Sequence, residues 1–211
     1  MHDVPLKATR SDNVRIALRL EYFTVAWNLI EGFVALYAAL GAGSIVLLGF
    51  GIDSFVESTS ALVLIWRLNA ERSAVDHSAI ERLDRRAHKL VGISLFALAA
   101  YIVVDAALTL YHRVRPAPSA LGIGLLLVSI AVMMWLARAK RGAARTLGSR
   151  ALEADSFQTT ACWWLSIIGL CGIGLNALLG WWWADPMAAL GMAALLVREG
   201  RGAWRGEACC D

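Results

Sequence analysis

The sequence predicts an all-α membrane protein, a bundle of six transmembrane helices with both termini on the cytoplasmic side. Three observations lead there. Hydrophobic residues make up 58% of the 211 and charged residues 18%, where a soluble domain is nearer half apolar and a quarter charged. The apolar residues gather into stretches of about 20, the length that crosses a hydrocarbon core of about 30 Å. Lys and Arg crowd into alternate connections between these stretches, which fixes the orientation.

The first stretch covers 20–40 and ends at Gly41-Ala42-Gly43-Ser44, a tight turn into the second, 45–66. A polar loop, 67–89, leads to the third, 90–111, which stops before His112-Arg113-Val114-Arg115-Pro116. The fourth covers 120–137, and a basic loop, 138–150, precedes the fifth, 151–179. Trp181-Trp182-Trp183 mark an interfacial aromatic belt, and the sixth stretch covers 185–197. The expected organisation is a cytoplasmic N-terminal segment (1–18), a six-span domain (19–200) and a short cytoplasmic tail (201–211). The polar N-terminal segment lacks an apolar core followed by a small-residue cleavage site, so it reads as mature protein and not as a signal peptide.

Basic residues crowd four segments: Lys7, Arg10, Arg15 and Arg19; Arg67, Arg72, Arg82, Arg85, Arg86 and Lys89; Arg138, Lys140, Arg141, Arg145 and Arg150; Arg198, Arg201 and Arg205. Six spans place all four on one side, the cytoplasm, and leave only Arg113 and Arg115 on the other. The net charge of +3 is thus dispersed between spans without forming a basic face, which argues against nucleic-acid binding. Cys162 and Cys171 share a span and Cys209 adjoins Cys210, a pattern that gives no disulfide framework.

Ionisable groups inside spans are costly and mark function. Asp53 and Glu57 lie four residues apart, hence on one helix face near the membrane middle. Two carboxylates so close repel unless a cation or a proton lies between them. The competing reading is a proton-neutralised pair hydrogen-bonded within the bundle. Span five carries Asp155, Gln158 and Cys162 along one stripe of oxygen and sulfur ligands. With the pair of span two they form a candidate metal site: Asp53, Glu57, Asp155, Gln158 and Cys162. Zinc takes four ligands and accepts carboxylate and thiolate, whereas calcium wants more oxygens.

Other polar residues leave alternatives open. Glu21, Asn28 and Glu31 share a face of span one. Glu21 reads as an interfacial residue beside Arg19, and Glu31 as a proton acceptor, a vestibule charge or an interhelical partner. Asp105 is equally ambiguous, and Asp185 before Pro186 is expected to cap span six. Asp76, His77, Glu81, Asp84 and His88 read first as solvated loop residues and second as a transient metal set. Cys209 and Cys210 allow soft-metal capture. No group suggests bond chemistry, so the chain is not read as an enzyme.

These features resemble the cation diffusion facilitator (CDF) family. Its second span carries an acidic residue or His, three others, then Asp; here Asp53-Ser54-Phe55-Val56-Glu57 has Glu last. Its fifth span reads Ala-Asp, two residues, His, three residues, Asp. Here Ala154-Asp155 keeps that frame, with Gln158 and Cys162 at the ligand positions, and Asp185-Pro186 fits the start of span six. The resemblance covers residues 15–205, and the chain looks like a short branch consisting of the transmembrane domain alone. It implies efflux of a divalent transition metal, zinc first, by proton-coupled antiport with alternating access. The partners implied are the metal as cargo with no tightly bound cofactor, protons, the lipid bilayer and a second copy in a homodimer. Short loops suggest a bacterial inner membrane. The rival readings are a membrane scaffold or accessory protein, which would tolerate Asp53→Asn and Glu57→Gln, and an uncoupled metal channel, which would conduct without pH sensitivity.

The orientation has a direct test. An impermeant thiol reagent should leave Cys209 and Cys210 unlabelled in intact cells and label them after permeabilisation. Ready labelling from outside would reverse the topology.

Overall fold

The computed structural model describes the backbone of residues 4–72 and 77–205, with side chains for 13–69, 89–149 and 151–204. Within them the chain forms α1 (Val4–Ala42), α2 (Ile45–Arg72), α3 (His77–His112), α4 (Ala120–Leu147), α5 (Arg150–Leu179) and α6 (Ala184–Arg205), with no strand. The first five are long and apolar enough to cross a membrane. α6 has 22 residues and carries Arg198, Glu199 and Arg201 in its second half. It completes the bundle by packing on α3 and α5.

The helices run beyond the predicted spans. The expected loops at 67–89 and 138–150 are largely helical, since α2 continues to Arg72, α3 starts at His77 and α4 reaches Leu147. Hydropathy marks the part of a helix that suits lipid. Ala, Arg, Lys and Leu favour helix as strongly in water as in the membrane, so nothing at Arg138 stops α4. The stop comes at Gly148, whose φ of 62° sets the left-handed turn that a Cβ disfavours. Ser149 then opens α5 by accepting the Leu152 N–H. The α4–α5 joint is therefore two residues long, and these helices form a tight antiparallel pair.

α2 is the central helix: 61% of its span is buried, against 33–39% in the other four. It packs on α1, α3, α5 and α6. Close approach to α1 depends on two glycines. A Cβ on Gly32 would meet the Phe55 ring at 2.8 Å, and one on Gly51 would meet the Gly32 carbonyl oxygen at 3.2 Å. This contact sets Glu31 of α1 beside Ser54 of α2. Outward faces stay apolar, as Phe33, Tyr37 and Leu40 of α1 and Val104 and Tyr111 of α3 show.

At the end away from the basic segments, polar contacts join several chain turns. Asp185 does not cap its own helix as expected. Its carboxylate accepts from the Ser44 hydroxyl at 2.5 Å and from the Ile45 N–H at 3.1 Å, capping α2 instead. The α1–α2 turn exposes the donors that open α2, and they need a buried acceptor; α6 starts beside them and supplies it. Ala117 N–H donates to the Ala42 carbonyl at 2.8 Å, and Asn176 Nδ2 to the Pro116 carbonyl at 2.8 Å. Trp181 and Trp183 stack at 5.2 Å close by in sequence.

Asp185→Ala removes the acceptor of two buried donors. The expected loss of stability is about 1–3 kcal/mol, read as a lower unfolding temperature in detergent, whereas Met187→Ala on the exposed face should change it little.

Candidate metal site

Asp53 and Glu57 project from the middle of α2, about 12 and 18 Å along its axis from Ile45 at 1.5 Å rise per residue. Both are buried, at 3% and 1% exposure. They lie within electrostatic reach of each other, and Asp53 also feels Glu31. Glu57 Oε1 accepts the Thr159 hydroxyl of α5 at 3.0 Å, while its Oε2 is buried without a partner. Cys162, one turn from Gln158 and 2% exposed, brings its thiol to Glu57. Asp53, Glu57 and Cys162 therefore lie within electrostatic reach of one another, with the Cys162 thiol nearest Glu57.

The other two predicted ligands are engaged elsewhere. Gln158 Nε2 donates to Ser60 Oγ at 3.3 Å. Asp155 Oδ2 accepts a short hydrogen bond from the Lys140 ammonium. Among the described residues no three His, Cys, Asp or Glu side chains converge as a formed cage. Asp76, His77, Glu81, Asp84 and His88 lie outside the residues whose side chains are described, as do Cys209 and Cys210.

Two groups extend the site. Toward the far end, Glu31 of α1 is fully buried. Ser54 Oγ donates to its Oε2 at 3.3 Å and Ser129 Oγ to its Oε1, and Ser166 donates in turn to Ser129 at 3.2 Å. Toward the basic end, Lys140 Nζ bonds Glu21 Oε2 at 3.1 Å as well as Asp155. The triad links α1 and α5 through α4 in the interior, for Lys140 and Glu21 are 0% exposed. Asn28, on the same stripe between Glu21 and Glu31, is 0% exposed with both amide atoms unpartnered. Glu21 is thus a core residue and not an interfacial one, and Glu31 is an interhelical partner. Asp105 faces Tyr101 on its own helix.

Sequence reasoning missed Lys140 and Glu199. The sequence pattern places Lys140 among the charges of a basic loop, 138–150. A signal did exist: Gly122, Leu126, Ser129, Met133, Leu136, Ala137, Lys140 and Ala144 are the buried residues of α4, and Lys140 falls on that helical stripe. Glu199 of α6 lies within electrostatic reach of Asp53 and Glu57, with Oε1 buried and unpartnered. Nothing local in the sequence distinguishes it from the tail charges beside it.

A family model described as the cation efflux transmembrane domain matches residues 22–205. An uncharacterized transporter of Synechocystis sp. is 31% identical over 156 residues, which are 71% of this chain and 49% of that protein. The chain therefore spans about half the length of this relative.

The Lys140 triad generates a stability prediction. In buffer free of divalent ions, Lys140→Met should cost roughly 3–5 kcal/mol, because it strands two buried carboxylates. Adding Glu21→Gln and Asp155→Asn should recover most of the loss. Thermal unfolding of the single and triple variants checks this, and an equally unstable triple variant would point to packing instead of charge.

Proposed function

The chain belongs to the cation efflux family, and we propose that it carries divalent transition-metal ions, zinc foremost, out of the cytoplasm in exchange for protons. One observation supports this most. Glu21, Glu31, Asp53, Glu57, Asp155 and Asp185 are buried, while Lys140 is the only buried Lys or Arg among the described residues. An ion removed from water costs several kcal/mol unless it is paired, so an interior this rich in carboxylate is built to receive cations.

Asp53, Glu57 and Cys162 form the core of the proposed binding site. Gln158 and Asp155 complete it on leaving Ser60 and Lys140, giving the mixed oxygen and sulfur set that zinc accepts. The ionised carboxylates hold the metal. Protons arriving from the far side compete for the same oxygens and release it, which couples efflux to proton entry. Alternating access moves the opening from the basic, cytoplasmic end to the opposite end. The tight α4–α5 pair and the central position of α2 support a rocking of α5 against α2, the two helices that carry the ligands. A bacterial inner membrane and a homodimer whose contact lies between spans are part of the same proposal.

Asp53→Asn keeps the volume and removes one ionisable oxygen. Zinc flux into proteoliposomes driven by a pH gradient should fall to background in this variant, with expression and helix content retained. Flux at the parental rate would show that the site is wrong, and parental flux that ignores the pH gradient would show that protons are not coupled.

A further inference from the structure

At the Lys140 ammonium, two carboxylates from two helices each hold one oxygen in reserve. Glu21 of α1 gives Oε2 to Lys140 and keeps Oε1 buried and unpartnered. Asp155 of α5 gives Oδ2 and keeps Oδ1. Glu57 of α2, which accepts from Thr159 one turn from Asp155 on α5, lies within electrostatic reach of Lys140 and Asp155. Lys140 interacts electrostatically with all three. A buried carboxylate oxygen without a donor is costly, and the two that Glu21 and Asp155 keep are left over by the single ammonium. A lysine head is a compact point charge on a flexible stem, so it can leave such a place by rotating about its own bonds.

We propose that Glu21 and Asp155 form a second cation station on the cytoplasmic approach to Asp53 and Glu57, occupied in this structure by Lys140, which an incoming divalent ion displaces. The proposal rests on the reading of Asp53 and Glu57 as the transport site. The tethered ammonium keeps the station neutralised when no metal is present. A divalent ion brings two charges and takes up the spare oxygens that the ammonium leaves, so it wins where a monovalent ion does not. Displacing Lys140 also releases α4 from the bridge that its ammonium makes to Glu21 of α1 and Asp155 of α5. Lys140 thus acts as both surrogate cargo and inner gate.

The test separates this station from the transport site. Mn²⁺ binds carboxylates and neglects thiols, so Cys162, Cys209 and Cys210 do not confuse it, and loss of its free-ion paramagnetic resonance signal counts bound ions. In the Asp53→Asn chain Lys140 still fills the station. Adding Lys140→Met should raise the apparent Mn²⁺ affinity by about tenfold or more, the gain expected when a paired buried counterion is removed. Adding Glu21→Gln as well should abolish the gain. Lys140→Gln, which keeps a donor to both carboxylates and so protects the fold, should show the same gain as Lys140→Met. A monodisperse, helical Asp53→Asn/Lys140→Gln protein that binds Mn²⁺ no better than Asp53→Asn overturns the proposal, as does a gain that survives Glu21→Gln. Undiminished zinc flux by Asp53→Asn alone would instead overturn the transport-site reading, since the station is measured without transport.

Discussion

Inside a bilayer there is no water to complete a hydrogen bond, so every polar group must find its partner within the protein. Helices answer for the backbone, and hydroxyls take up much of the rest. Thr24, Ser54, Ser58, Thr159, Thr160 and Ser166 each return a hydrogen bond to the carbonyl four residues earlier. Ser54, Thr159 and Ser166 also reach partners on neighbouring helices, while Thr24 and Ser58 are satisfied in this way within their own. The carboxylates cannot do this. They need donors or cations from other helices, and this need decides which helices must face one another.

The polar side chains accordingly form one axis shared by α1, α2, α4 and α5. Glu21, Lys140 and Asp155 hold its basic end, Asp53, Glu57, Thr159 and Cys162 its middle, and Glu31 with Ser54 and Ser129 a branch toward α4. α3 contributes apolar mass, with Leu95, Leu98, Ala99, Ile102 and Ala106 buried, and pairs most closely with α6. The arrangement separates a chemically active group of helices from a supporting pair. α6 bridges the two groups, since Asp185 and Glu199 reach toward α2 from opposite ends of that helix.

Local chemistry made α5 readable almost residue for residue. Ser149 and Gly180 bracket it with cap signals, and its apolar run stops where the helix stops. Where apolar sequence and helix part company, as in α3 and α4, composition reports lipid contact and says little about the backbone. The pair Asp53 and Glu57 was legible because helical spacing is a local property. The engagement of Gln158 with Ser60, and of Asp185 with Ser44, was not. Each depends on which helices are neighbours, and a single chain carries no record of that. Lys140 lay between the two cases, since its stripe was visible while its partners on α1 and α5 were not.

The Asp185 contact also has a consequence for how the protein is made. The acceptor for the opening turn of α2 lies 140 residues further along the chain. At ordinary rates of synthesis, on the order of ten seconds separate the emergence of Ile45 from that of Asp185. During this interval the first helical hairpin sits in the membrane with its turn uncapped, and water or lipid headgroups at the surface must stand in. Insertion of α6 expels them and locks the turn. It therefore acts as the closing stitch of the α1–α2 hairpin, and a chain halted before α6 would keep an open seam at that surface.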